Sequence, residues 1–223
     1  MIKTTATLIT LCLLLTIGCN NADTRPVEPA TVVRNVVGRV MLPAGDGARG
    51  IAVILTMDAS ADRPEDEWAL LDEHDAFAKP VRGKLTRVRV VAGSFMTVVE
   101  LSGDALPRPD AIGRIDLGDI DVRDLVTSHR LKLTAAPGSE AGAVRVGMWF
   151  EPPHPDVSMA SRQFPELQTG DTMEWLVPKE AEAVYFMSER PADDGRGLEW
   201  KSGKKTLVGP FGLGELPGEL VVE

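Results

Sequence analysis

The sequence predicts a mainly β protein, arranged as two small β-sandwiches in tandem. Three observations predict it. The 223 residues carry 16 Pro and 21 Gly scattered along their length, a punctuation too dense for a helical bundle and suited to short strands joined by turns. Apolar and polar residues repeatedly alternate with a period of two. Turn-forming clusters recur about every 8–12 residues through both halves, the spacing of sandwiches and barrels. Hydrophobic residues make up 43% of the chain and charged residues 26%, enough apolar surface to bury a core. One continuous larger sandwich is the alternative arrangement.

The N-terminus reads as a targeting segment. Lys3 supplies a positive start, and residues 8–17 are apolar apart from Thr10 and Thr16, a run too short to span a bilayer comfortably. The stretch Leu15-Thr16-Ile17-Gly18-Cys19 then resembles the lipobox of bacterial lipoproteins, with Thr16 three places before the cysteine. The resemblance implies that residues 1–18 form a signal helix that is cleaved, and that Cys19 becomes the lipid-bearing first residue of a membrane-anchored protein. An ordinary signal peptide and an uncleaved N-terminal anchor are the competing readings of the same stretch. Cys12 would leave with the signal, so no cysteine remains for a disulfide. Asn20 stands where inner-membrane lipoproteins of the enteric type often carry Asp, which implies the outer membrane. Residues 19–30 are polar and Pro-containing, a flexible tether.

The first sandwich is expected over residues 31–122. Val36, Val40 and Leu42 share one parity with Arg39 opposite, as in a half-buried strand stopped by Pro43. Residues 50–55 are continuously apolar, which suits a strand covered on both faces. Residues 62–78 are the least strand-like. Asp62 fits a helix N-cap, Pro64 its first turn and Glu65-Asp66-Glu67 its positive end, and Trp68 and Leu71 share a helical face. This segment is predicted to be a short helix or ordered excursion. In residues 84–91, Val88 and Val90 alternate with Arg87 and Arg89, and a tight turn at 92–94 leads to a Val-rich strand over 95–101. In residues 115–122, Ile115, Leu117, Ile120 and Val122 face one side only if Gly118 marks a bulge or a new strand.

The second sandwich is expected over residues 123–223. Strands are predicted at 130–134, 143–150, 173–177, 183–187, 205–208 and 219–222, with a Pro-stiffened loop at 151–156. Gly38-Arg39-Val40, Gly45-Asp46-Gly47 and Gly50-Ile51-Ala52-Val53 resemble the opening of carboxypeptidase regulatory-like domains. The run Ile115-Asp116-Leu117-Gly118-Asp119-Ile120 is similar to their end strand, and a weaker echo lies at 131–146 and 170–178. The likeness implies transthyretin-like or immunoglobulin-like sandwiches, in a family where such domains are accessory modules and not catalysts.

The formal charge of −9, with no Lys/Arg stripe, argues against a nucleic-acid partner. No Gly-x-Ser-x-Gly elbow or phosphate-cradling loop occurs, and residues 209–214 are Gly-rich without the Lys such loops need. His74, His129 and His154 stand too far apart in sequence for a zinc pattern. The acids at 72–75 lack the Asp-x-Asp-x-Asp-Gly order of a calcium loop and read as a solvated helix face. No cofactor or metal is expected. The best polar grouping is Glu151, His154 and Asp156 on the loop after a strand, which reads as a solvated turn before it reads as a place for a metal ion or a polar ligand. Trp149 precedes it on the Arg145 side of its strand and is expected to face outward, whereas Trp175, Trp200 and Tyr185 read mostly as core. Together these residues predict a non-catalytic envelope module that contacts another protein. The alternatives are a glycan-binding module built on Trp149 and the 151–156 loop, and a hydrolase with a cleft assembled only in the fold.

Overall fold

Period-two patterning becomes strand almost everywhere it was read. The computed structural model describes residues 33–45, 50–60, 63–138, 142–154, 166–191 and 202–222. The expected signal segment, Cys19, the tether, Asp62, Asp156 and Trp200 lie outside these residues. The protein is mainly β. Its first seven strands are β1 (Val33–Met41), β2 (Ile51–Ser60), β3 (Arg63–Ala69), β4 (Ala76–Arg82), β5 (Lys84–Ala92), β6 (Met96–Ser102) and β7 (Arg114–Asp121). They form a three-stranded sheet in the order β4-β1-β7 and a four-stranded sheet in the order β3-β2-β5-β6.

The next seven are β8 (Val126–Ala135), β9 (Ala143–Trp149), β10 (Glu166–Gln168), β11 (Thr172–Pro178), β12 (Val184–Pro191), β13 (Ser202–Phe211) and β14 (Glu219–Val222). Their sheets run β11-β8-β14 and β10-β9-β12-β13, the same order with every strand number raised by seven. The repeat extends to short 3-10 turns, Gly103–Ala105 before β7 and Leu213–Glu215 before β14. In each half the last strand lies parallel to the first, β7 on β1 and β14 on β8.

Each sheet pair closes on its own core. Val36, Val40, Phe77 and Ile115 meet Val53, Leu55, Met57 and Val88 in the first. Leu131, Leu133, Trp175 and Leu220 meet Val144, Val146, Met148 and Phe186 in the second. The apolar run of β2 is explained by burial on both faces, with Val53 and Leu55 in the core and Ile54 buried on the opposite side. Gly118 provides the predicted bulge. It adopts φ +64, the β1–β7 register shifts there, and Ile115, Ile120 and Val122 all reach the core.

The segment 62–78 departs from expectation. Its described residues form no helix but β3, a turn and the start of β4. Pairing with the open edge of β2 outweighs the helical propensity of the acidic run. On this edge strand Asp66 and Glu67 find cationic and hydroxyl partners. Asp66 accepts from Thr56 Oγ1 at 2.6 Å and from Arg89 Nη2 at 2.8 Å, and Lys79 Nζ lies 3.1 Å from Glu67. Pro80 is tolerated inside β4 because β4 is itself an edge.

The acids at 72–75 build a turn rather than a helix face. Asp72 Oδ1 accepts the N–H groups of His74 (2.8 Å) and Ala76 (3.0 Å), which holds its carboxyl below the usual carboxylate range. Asp110 repeats the device before β7, accepting from Ile112 at 3.0 Å and Arg114 at 2.8 Å. The fourth residue of each loop has positive φ, +59 at Asp75 and +81 at Gly113. Both edge strands flanking β1 thus start from the same Asp-anchored loop.

Candidate functional site

The residues singled out around the end of β9 converge on a cleft where the halves meet. The end of β9 and its exit contribute Trp149, Phe150, Glu151, Pro152, Pro153 and His154. The β5–β6 turn adds Ser94, Phe95 and Met96, and the β11–β12 turn adds Glu180, Ala181 and Glu182. Together they enclose a cleft of about 640 Å³.

The walls are fixed by backbone hydrogen bonds within and between the halves. Ser94 N–H donates to Met148 O at 2.8 Å, and Gly93 N–H donates to Gly50 O at 2.7 Å. Gly93 is required at this approach. It adopts φ +50, and a Cβ there would stand 2.6 Å from Met148 O. The third wall is held by Lys179 N–H, which donates to Leu125 O at 2.9 Å, and by Ala181 N–H, which donates to Pro178 O at 3.1 Å. Leu125 belongs to the connection between the halves, whose Val122 and Val126 are buried in the first core. Arg123 donates to Asp121 at the head of that connection through Nε (2.9 Å), Nη2 (2.6 Å) and its backbone N–H (3.1 Å). These bonds lower the Asp121 pKa to about 2 and raise that of Arg123.

Trp149 corrects the expectation of an outward-facing indole. It lies on the Arg145 side of β9, as its parity requires, but only 6% of it is exposed. That face of the four-stranded sheet is covered, and Met187 and Tyr185 from the neighbouring β12 pack on the indole. Trp149 reaches the cleft as part of a buried wall. Glu151 and His154 are exposed at its margin. Trp175 is buried in the second core as expected, and Tyr185 is half-buried.

Three features escaped sequence reading. Phe95 has φ +71, unusual for a residue with a bulky side chain, yet its ring is 48% exposed at the cleft. The ring meets Trp68 of β3 edge-on at 5.1 Å between centroids. Glu180 and Glu182 face the 151–154 loop only because β11 returns beside β8. A charge row also crosses the second four-stranded sheet, with Glu166 opposite Arg145, Arg145 opposite Glu189 and Glu189 opposite Lys205. Glu189 is fully buried within it. No local pattern reveals such a row, because each member comes from a different strand.

Among the described residues, no group of three or more His, Cys, Asp or Glu is placed to hold a metal ion. Nor is any helix there long and apolar enough to cross a membrane.

No family model matches the sequence, and no curated protein matches it. Among solved structures it is similar to a DUF3823 family protein from Parabacteroides merdae, with 11% identity and a TM-score of 0.29 over 71% of this chain and 90% of that one. A DUF3823 family protein from Bacteroides ovatus gives 12% identity and a TM-score of 0.24 over 79% and 98% of the two chains. The shaft pilin SpaA from Lactobacillus rhamnosus GG gives 9% identity and 0.25 over 85% and 97%. The fold is therefore read from this chain's own strand pairing.

Proposed function

We propose that this chain is a lipid-anchored, non-catalytic lipoprotein of the cell envelope that acts as a protein-interaction module. The observation that carries the interaction reading is the cleft at the junction. Residues from both halves wall it, backbone hydrogen bonds hold those walls, and its lining combines aromatic rings and prolines with carboxylates. Such a lining is the composition of a recognition surface, with an apolar floor for affinity and a few polar groups for orientation. The anchor reading rests on the apolar run and the Gly18-Cys19 pair. A cysteine-linked lipid with the tether of residues 19–30 would hold the folded body near an outer membrane, facing the periplasm or the exterior.

The test is in-cell crosslinking and mass spectrometry of tagged wild type beside Cys19→Ser, with membrane fractionation. Wild type is expected in the membrane fraction with one enriched partner, and Cys19→Ser outside that fraction without it. Equal sedimentation of the two overturns the anchor, and absence of any enriched partner overturns the interaction module.

A glycan-binding role is the second reading, favoured by the placement of Phe95 and Trp149 on one cleft with Glu151 and His154. Carboxylates that accept sugar hydroxyls beside an aromatic ring are the chemistry it needs. It predicts a change in tryptophan emission with at least one of a panel of envelope polysaccharides, and unchanged emission across the panel ends it.

A further inference from the structure

We propose that the cleft is a docking groove for a basic segment of a partner protein, with Lys or Arg side chains received by Glu151, Glu180 and Glu182 against the exposed ring of Phe95 and the half-buried ring of Phe150. The inference rests on the interaction-module reading and names the chemistry of the partner.

Charge carries it. Among the described residues, three glutamates and His154 are the ionisable ones lining the cleft, and no described Lys or Arg lines it. Several acids elsewhere among the described residues are paired with cations, as in Asp66 with Arg89, Glu67 with Lys79, Asp116 with Arg114 and Asp121 with Arg123. Glu151, Glu180 and Glu182 form no ion pair with any described residue. Three exposed, unneutralised carboxylates around an apolar floor concentrate negative potential in a concave space.

The floor has the matching property, because aromatic faces attract ammonium and guanidinium groups. Phe95 supplies the exposed ring. Its positive φ is a backbone outlier, and such outliers persist only where the surroundings enforce them. Here the Trp68 edge contact and the Ser94 N–H bond to Met148 O hold the turn. The result is an aromatic group raised at the cleft mouth instead of folded into a core. An acidic ligand would be repelled, and a neutral apolar one would strip water from three carboxylates without replacing it. A basic chain satisfies both the carboxylates and the rings.

The experiment titrates the full chain with hexalysine, and with hexaglutamine as the neutral control, by calorimetry and tryptophan emission at low and physiological ionic strength. Two variants accompany wild type: the triple Glu151→Gln, Glu180→Gln, Glu182→Gln, which alters only exposed carboxylates, and Phe95→Gly, which removes the ring while relieving the positive φ. Hexalysine is expected to bind wild type, more weakly as salt rises, and to lose about tenfold or more with the triple variant. Phe95→Gly is expected to weaken binding severalfold without lowering the urea midpoint.

Equal hexalysine binding by wild type and the triple variant overturns the proposal, as does hexaglutamine binding equal to hexalysine. Binding of a neutral oligosaccharide with no response to hexalysine also overturns it, in favour of the glycan reading. Crosslinking separates the two levels of argument. If the triple variant captures the same partner as wild type, the groove assignment falls and the module stands. If wild type captures none, the module itself falls.

Discussion

Replacing Gly93 with alanine tests whether one turn locks the two halves together. Gly93 adopts φ +50, where an L-residue costs about 1–2 kcal/mol. The added Cβ would lie 2.6 Å from Met148 O and 2.9 Å from the Phe150 ring. A backbone oxygen cannot swing aside like the end of a flexible side chain, so the turn and β9 must separate. The 2.8 Å bond from Ser94 N–H to Met148 O is then lost, which costs a further 0.5–1.5 kcal/mol or about that. The expected destabilisation is about 2–3 kcal/mol. Gly103 is the control, with φ +57 and nothing within 4 Å of its Cβ position, so Gly103→Ala should show only the conformational part. Equilibrium urea unfolding followed by tryptophan emission compares the two. Equal losses for both variants would refute the inter-half clash. A larger loss for Gly93→Ala than for Gly103→Ala, together with a changed cleft-tryptophan signal in the folded baseline, supports it.

Trp149→Ala should cost about 3–5 kcal/mol, the loss expected of a buried indole, and a thermal melt within a degree of wild type would place Trp149 at the surface after all. Asp121 should titrate near pH 2 in a carboxyl NMR titration, and Arg123→Ala should return it towards its ordinary value of 3.8. Because folding depresses this pKa, its stabilising contribution is complete above pH 3.8 and is lost as pH falls towards 2. An unchanged titration in Arg123→Ala would remove the guanidinium as the cause. Asp75→Gly should leave stability within about 0.5 kcal/mol of wild type, since relief of positive φ offsets the flexibility of glycine. A loss well beyond that in urea unfolding would show that the Asp75 side chain contributes more than its backbone conformation.

The β class was legible because half-buried strands write their burial into sequence with a period of two. Val36 and Val40, or Val144, Val146 and Met148, could be assigned an inward face without knowledge of any neighbour. β3 was not legible, because an edge strand needs no apolar face and its acidic composition imitates a helix N-terminus. β4 was hidden by Pro80, which only an edge position permits. The cleft was half legible. Pro-stiffened residues after a strand marked Glu151 and His154, and the parity of Trp149 was read correctly. Its burial was not, since the cover comes from Tyr185 and Met187 on a distant strand. Phe95, Glu180 and Glu182 carry no local signal, because only the turn geometry and the contact between halves bring them to the same space.

The parallel return of β7 to β1, and of β14 to β8, also constrains how the chain assembles. Each half pairs its first strand with its last, so neither sandwich can finish until its whole length is available. Contacts this distant in sequence make closure slow compared with formation of the intervening hairpins. Until β7 arrives, one edge of β1 stays open to any other extended segment. β14 makes the second closure with few residues, although it inserts Leu220 and Val222 into the core. Crowded copies of this chain could exchange that strand and keep every native contact, which makes β14 the natural seam for domain swapping.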